Sequence, residues 1–226
     1  MSEGIRFVRR CAVASAALIA CVVASPAARA EDPGRGETAL ALVSLSAGVA
    51  AWGREARDPI ALIVAAEIRS RVTVRSIERR PEQSGEAGAE PTATADVTVD
   101  ALLAEAVALS KGDGTVAALA DDVKASARKG LVQGAGASRA TVRAAGSDWY
   151  RRLKFEGARY AEAYVELSGP GTVSMSVFDD KGNLVCRDTN PASVAYCGWM
   201  PSTTATFDVR VENRGNGAVP YRLFTN

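Results

Sequence analysis

Apolar positions repeat with a helical period through the first half of the chain and with a period of two through the second. Leu42, Leu45, Val49 and Trp52 fall at i, i+3, i+7 and i+10, one face of a helix. Asp58-Pro59 then reads as an N-cap followed by proline at the first helical position. The helix it opens carries Ile60, Ile63, Val64, Ile68 and Val72 on one stripe, with Glu67, Arg69, Arg71 and Arg75 on its polar face. Almost no loop separates the two helices, so an antiparallel hairpin is expected. A second pair follows. Leu102, Leu103, Ala106 and Leu109 run up to Lys111-Gly112, and Val116, Leu119, Ala120, Val123 and Ala127 run up to Lys129-Gly130. Between the pairs, residues 79–96 hold Pro, Gly and Glu and no large apolar side chain, a composition that predicts a disordered loop.

Gly134-Ala135-Gly136-Ala137-Ser138 marks a change of period, and residues 134–141 read as a linker. Beyond it, strand signals recur every eight to twelve residues. Trp149 to Phe155 is one. In the next, Ala161, Ala163, Val165 and Leu167 alternate with Tyr160, Tyr164 and Glu166. Val173, Met175 and Val177 alternate with Ser174 and Ser176, and Asp179-Asp180-Lys181-Gly182-Asn183 turns the chain into Leu184 to Arg187. Phe207, Val209 and Val211 alternate with Asp208, Arg210 and Glu212, and Val219 to Phe224 closes the chain. The fold class expected is therefore α+β. An alanine-rich antiparallel helical bundle over residues 31–133 precedes a jelly-roll-like antiparallel β-sandwich over residues 142–226.

The first thirty residues form an address rather than part of the fold. Arg6, Arg9 and Arg10 precede an apolar run from Cys11 to Ala24, and Ala28-Arg29-Ala30 supplies a small-x-small cleavage site. At 14 residues the run is short for a permanent membrane span. A signal peptide over residues 1–30, cut after Ala30, and a periplasmic or secreted mature protein are expected. Leu18-Ile19-Ala20-Cys21 offers a second reading, in which Cys21 is lipidated and tethers the chain to a membrane.

Composition removes several chemistries. The chain of 226 residues contains no histidine, so Ser-His-Asp and Cys-His nucleophile systems and His-containing zinc sites are excluded. Net charge is +1, and it turns slightly acidic without Arg6, Arg9, Arg10 and Arg29, which argues against a nucleic-acid partner. Cys186 and Cys197 are the cysteines left after processing, and in an oxidising compartment they are expected to bridge.

A resemblance joins these landmarks. Asp148-Trp149-Tyr150, Phe155-x-Gly157, Val177-Phe178-Asp179, Gly182-Asn183-Leu184-Val185, Trp199-x-Pro201, Val211-x-Asn213-x-Gly215 and Tyr221-x-Leu223-x-Thr225-Asn226 resemble the bacterial pre-peptidase C-terminal domain over about the last 80 residues. The resemblance implies a noncatalytic β-sandwich module of exported proteins that in some members binds calcium. Where that family often carries an aspartate-rich strand, this chain has Ser174-Met175-Ser176-Val177.

Three sets of candidate site residues emerge. Asp179, Asp180, Asn183 and Asp188 cluster around one hairpin and are oxygen ligands of the kind calcium takes, although the spacing matches no EF-hand and turn chemistry alone explains them. Trp149, Tyr150, Tyr160 and Tyr164 are candidate binding aromatics, if they share a solvent-facing sheet. Glu156 and Glu162 would be the acids of a carboxylate-dependent hydrolase. The function expected is a noncatalytic exported protein that binds or positions a protein or glycan of the cell envelope, with no cofactor. The alternatives are a carboxylate hydrolase with a cleft between the two halves and a lipid-tethered assembly factor.

Overall fold

In a computed structural model, which describes residues 38–86, 97–127 and 132–226, four helices lie to one side of two stacked sheets, with α1 and α2 in contact with the nearer one. The segment expected to be a signal peptide, Cys21 and residues 87–96 fall outside the described residues. Helix α1 (Ala39–Ala56) starts at Thr38, whose hydroxyl oxygen accepts the Ala41 N–H at 3.1 Å. It stops at Arg57, which takes a left-handed conformation (φ 54°) and donates its N–H back to Arg54 and Gly53. Asp58 caps α2 (Pro59–Ser70) by accepting from the N–H groups of Ile60 and Ala61, as its Asp-Pro pair predicts.

The face that α1 buries is not the one its large residues mark. Ala39, Leu40, Val43, Ser46, Ala47, Ala50 and Gly53 point inward, while Leu45 and Trp52 are 54% and 57% exposed. Close approach decides this. A Cβ on Gly53 would lie 2.9 Å from that of Ala61, so the two helices touch through small side chains and leave the bulky ones outside. Helix α2 packs against α1 and against the later helices α3 (Val99–Leu109) and α4 (Gly114–Ser126).

The chain enters the sheets earlier than its hydrophobic pattern suggests. Strand β1 (Val72–Ser76) pairs in parallel with β3 (Val132–Val142), and β2 (Glu82–Gln83) pairs with β4 (Ser147–Phe155). Three expectations are corrected here. Val72 and Arg75 belong to β1 and not to the second helix, which ends at Ser70. Residues 134–141 are not a linker but most of β3, and residues 82–83 of the expected disordered loop are a strand. The Gly/Ala run of β3 reflects crowding. A Cβ on Gly134 would overlap the Thr73 carbonyl and one on Gly136 would overlap Ile77.

The remaining strands are β5 (Ala161–Leu167), β6 (Val173–Phe178), β7 (Leu184–Ala192), β8 (Val194–Trp199), β9 (Ala205–Glu212) and β10 (Val219–Thr225). They complete two five-stranded sheets, β1-β3-β10-β5-β8 and β2-β4-β9-β6-β7. All pairings other than β1 with β3 are antiparallel. The inward rows, among them Val165, Met175, Val177, Val209, Val211 and Leu223, form the core between the sheets. β7 and β8 are the edge strands of different sheets, and the Cys186–Cys197 disulfide joins them across a Cα–Cα distance of 5.8 Å.

The first sheet is a middle layer. Leu40 and Val43 of α1 pack on its outer face against Val72, Ala135, Ala137, Tyr164 and Phe224. All seven residues of β5 are consequently buried, although their sequence alternates. The described residues form a single compact unit of helices and sheets rather than two separate domains. Among them, no helix is long and apolar enough to cross a membrane.

Candidate binding face on the second sheet

With helices covering the first sheet, the outward face of the second sheet is left without a covering element among the described residues. Period two fixes what it displays. On β4, Asp148 and Tyr150 turn inward and Trp149 turns outward, opposite Glu82 of β2 and Arg210 of β9. The neighbouring row brings Phe178 of β6 opposite Asp208. The Trp149 and Phe178 rings lie 5.4 Å apart at 31°.

A break in register then re-aims the next side chain. The β4–β9 pairing shifts between Tyr150 and Leu153, and Arg152 sits there at φ 55°, a conformation that costs a non-glycine residue energy. Asp208 holds this kink with both oxygens, accepting the Arg152 N–H at 2.8 Å and the Arg151 guanidinium at 2.8 Å. Glu82 accepts from Arg151 Nε at 2.9 Å. These hydrogen bonds, Asp208 foremost and then Glu82, hold the Arg151 pKa above its ordinary value. Thus fixed, the Arg151 guanidinium lies 4.0 Å from the Trp149 ring centre, and Arg210 lies 5.6 Å from it.

Farther along, Glu212 pairs with Arg210 and accepts from Arg214 Nε at 3.2 Å. Partial burial would raise the Glu212 pKa, but Arg214 and Arg210 outweigh it and hold the carboxyl low. Shallow hollows flank this cluster, one lined by Ser174 and Thr189 and the other by Ser84, Ser147 and Asn213. The face thus combines two partly buried aromatic rings with guanidinium groups whose positions are set by carboxylates. Such a surface stacks planar or apolar groups and donates hydrogen bonds around their rim.

The four candidate aromatics do not share this face. Trp149 alone lies on it. Tyr150 is 2% exposed in the core between the sheets, where its hydroxyl lies 2.9 Å from that of Tyr221. Tyr164 is fully buried beneath α1 and stacks near Phe224. Their burial removes both from any binding surface of this fold. Tyr160 sits just before β5, an interior strand of the first sheet, its hydroxyl 3.5 Å from that of Tyr196.

The hairpin oxygens are also committed. Asp179 accepts from the Lys181 N–H at 2.9 Å, the Asn183 N–H at 2.7 Å and the Asn183 side-chain amide at 2.8 Å. The bond from the Asn183 side chain is the main cause of its lowered pKa. Asp180 is exposed, and Asp188 turns to the next strand, accepting the Tyr196 N–H at 3.0 Å. These residues build the turn and the β7–β8 link, which is what Asp and Asn do at turns. Among the described residues, no group of three or more acidic or cysteine side chains is placed to hold a metal ion.

Three buried polar clusters escape sequence reading. Arg69, assigned to a polar helix face, is 4% exposed and donates to Glu166 Oε1 at 2.6 Å and to Ser46 Oγ at 3.2 Å. Glu162 is fully buried and accepts from Thr38 at 3.0 Å and from Tyr196 at 2.9 Å. Asp148 accepts from Tyr221 at 2.8 Å and from Gln83 at 3.0 Å. Burial pushes the Asp148 pKa up against these two hydrogen bonds, and pushes the Tyr150 hydroxyl to about 12. A cleft of about 430 Å³ does open between the helices and the first sheet, with Glu105 and Glu166 in its wall. Arg54 holds the first at 2.7 Å and Arg69 the second at 2.6 Å. Glu156 pairs with Arg159 on the surface and Glu162 lies under α1, so the two acids named from the sequence take different roles.

Compared by sequence, the chain matches no protein-family model and no curated protein. Solved structures align with about two fifths of it. A periplasmic inhibitor of g-type lysozyme from Aeromonas hydrophila is 12% identical over 41% of this chain and 84% of its own, with a TM-score of 0.32. The pre-peptidase C-terminal domain of a collagenase from Bacillus anthracis is 10% identical over 41% of this chain and 76% of its own, with a TM-score of 0.29. A xylan-binding domain from Paenibacillus barcinonensis is 16% identical over 38% of this chain and 68% of its own, with a TM-score of 0.23.

Proposed function

We propose that this protein is a noncatalytic binding protein of the bacterial envelope. It is exported by the signal peptide at residues 1–30, and its sandwich is an accessory module of the pre-peptidase C-terminal kind. The binding surface is the uncovered face of the second sheet, and the partner is a protein or a glycan of the envelope. One observation carries the reading. Trp149 stands partly exposed on an open sheet, clamped between Phe178 and a guanidinium that a kinked strand and two carboxylates hold in place. Trp and Arg, fixed before binding, are the residues that most often dominate binding energy. The paired state of the cleft glutamates supports a noncatalytic reading, because Glu105 and Glu166 each already neutralise an arginine.

Chemical crosslinking in intact cells, followed by recovery of the protein, tests this directly. The native protein should bring down a specific partner or glycan fraction. Trp149→Ala should lose it about 30-fold, the effect of removing a hot spot worth about 2 kcal/mol. Equal recovery by the variant would contradict the reading.

A further inference from the structure

We propose that the outward face of the α1–α2 hairpin is a self-association surface that receives the same face of a second copy of this chain. The two helices meet antiparallel through small residues. Ser46 Oγ donates to the Ala65 carbonyl at 2.8 Å, and Gly53 lies against Ala61. The residue just before each of these four is a large apolar one: Leu45, Val64, Trp52 and Ile60. One residue back turns each helix by the same angle, and because the helices run in opposite directions the two turns point to the same side. Leu45 therefore stands beside Val64 and Trp52 beside Ile60. They are 54%, 41%, 57% and 44% exposed. Four of the nine exposed large hydrophobics among the described residues are thus gathered in one patch.

Spacing and charge select the occupant. Leu45 and Trp52 lie seven residues apart on α1, the heptad spacing at which one helix receives the side chains of another, while Leu42 and Val49 turn back to pack against the buried clusters of this chain. Around the patch, Arg57 and Arg71 are balanced by Glu55 and Glu67, while Arg54 is committed to Glu105. Two copies therefore meet without net repulsion, and an anionic lipid surface gains no net attraction. At about 1.5 Å per residue α1 is about 27 Å and α2 about 18 Å long, and at about 10 Å of width each they present about 450 Å² per copy. The total of about 900 Å² falls in the range of weak, transient contacts, so a concentration-dependent dimer with two-fold symmetry is the outcome. The first sheet lies between this face and that of Trp149, which leaves both binding faces of the dimer open.

Sedimentation equilibrium of the protein recovered from the envelope, from about 1 to 100 µM, tests the inference. The native mass should rise from one copy to two. Trp52→Glu and Leu45→Glu, made separately, should each hold it at one copy with unchanged circular dichroism and thermal melting. Any of three results would overturn the proposal: a native protein that stays single at the highest concentration, a dimer that persists in both variants, or a single-copy protein that co-sediments with phosphatidylethanolamine–phosphatidylglycerol vesicles through Trp52. The last would assign the face to lipid instead.

Discussion

The Glu166→Gln substitution should destabilise the helices and the sandwich together. Glu166 and Arg69 are each 4% exposed, and the 2.6 Å contact between them fastens α2 to β5. Removing the carboxylate charge leaves a buried guanidinium beside the uncharged hydroxyl of Ser46, 3.2 Å from Nε. Stripping one partner from a buried ion pair costs about 3–5 kcal/mol, against a total stability of about 5–15 kcal/mol for a typical domain. Replacing both members, as in Arg69→Met with Glu166→Leu, removes the uncompensated charge and should restore most of the loss. Urea unfolding followed by far-ultraviolet circular dichroism and by tryptophan fluorescence measures both, since the first reports chiefly the helices and the second includes Trp149 and Trp199 of the sandwich. The midpoint should fall in both signals equally. A loss below about 1 kcal/mol, or a helical transition that moves while the fluorescence transition stays, would refute the single-unit description.

Two further predictions address the sandwich. Replacing Cys186 and Cys197 by alanine opens a loop whose ends are 11 residues apart, and should lower stability by about 3 kcal/mol in urea unfolding. Asp148 has a pKa above the ordinary 3.8 in the folded state, chiefly through burial, so the native protein takes up this proton before the unfolded chain does. Its contribution to stability therefore rises as pH falls through the window just above that value, opposite in sign to Asp179 and Glu212, whose folded pKa values are lowered and whose contributions fade with acid. The stability difference between the native protein and Asp148→Asn should accordingly grow in favour of the native protein between about pH 6 and pH 4, and a constant difference would refute it.

How much could be read in advance depended on side-chain size. The alternation at Val173 to Val177 and at Phe207 to Val211 identified β6 and β9, because large apolar residues on one face and polar ones on the other admit a single register. The Asp58-Pro59 start of α2 and the Cys186–Cys197 bridge were equally plain. Strand β3 was hidden because the neighbours of Gly134 and Gly136 leave no room for side chains, and a run of small residues looks like a linker. Half of the expected α1 stripe, Leu45 and Trp52, faces outward for a related reason, since Gly53 and Ala61 pack more closely than Trp52 could, while Leu42 and Val49 do pack inward. Strand β1 was hidden because Val72 and Arg75 continue the helical period of α2, and β2, two residues long, carried too little pattern to register. The Trp149 face was only half legible. Its tryptophan was visible, but that Arg151, Arg210, Asp208 and Glu82 converge on it depends on strand order and on the kink at Arg152, which no linear spacing records.

The claim that the second sheet presents the partner surface is tested most directly by placing a photo-crosslinking amino acid at Arg187, in the same outward row as Trp149, and separately at Asp122 on the exposed side of α4. Irradiating living cells should trap one discrete envelope partner from position 187 and none from position 122. Equal capture at both positions, or capture from 122 alone, would contradict it.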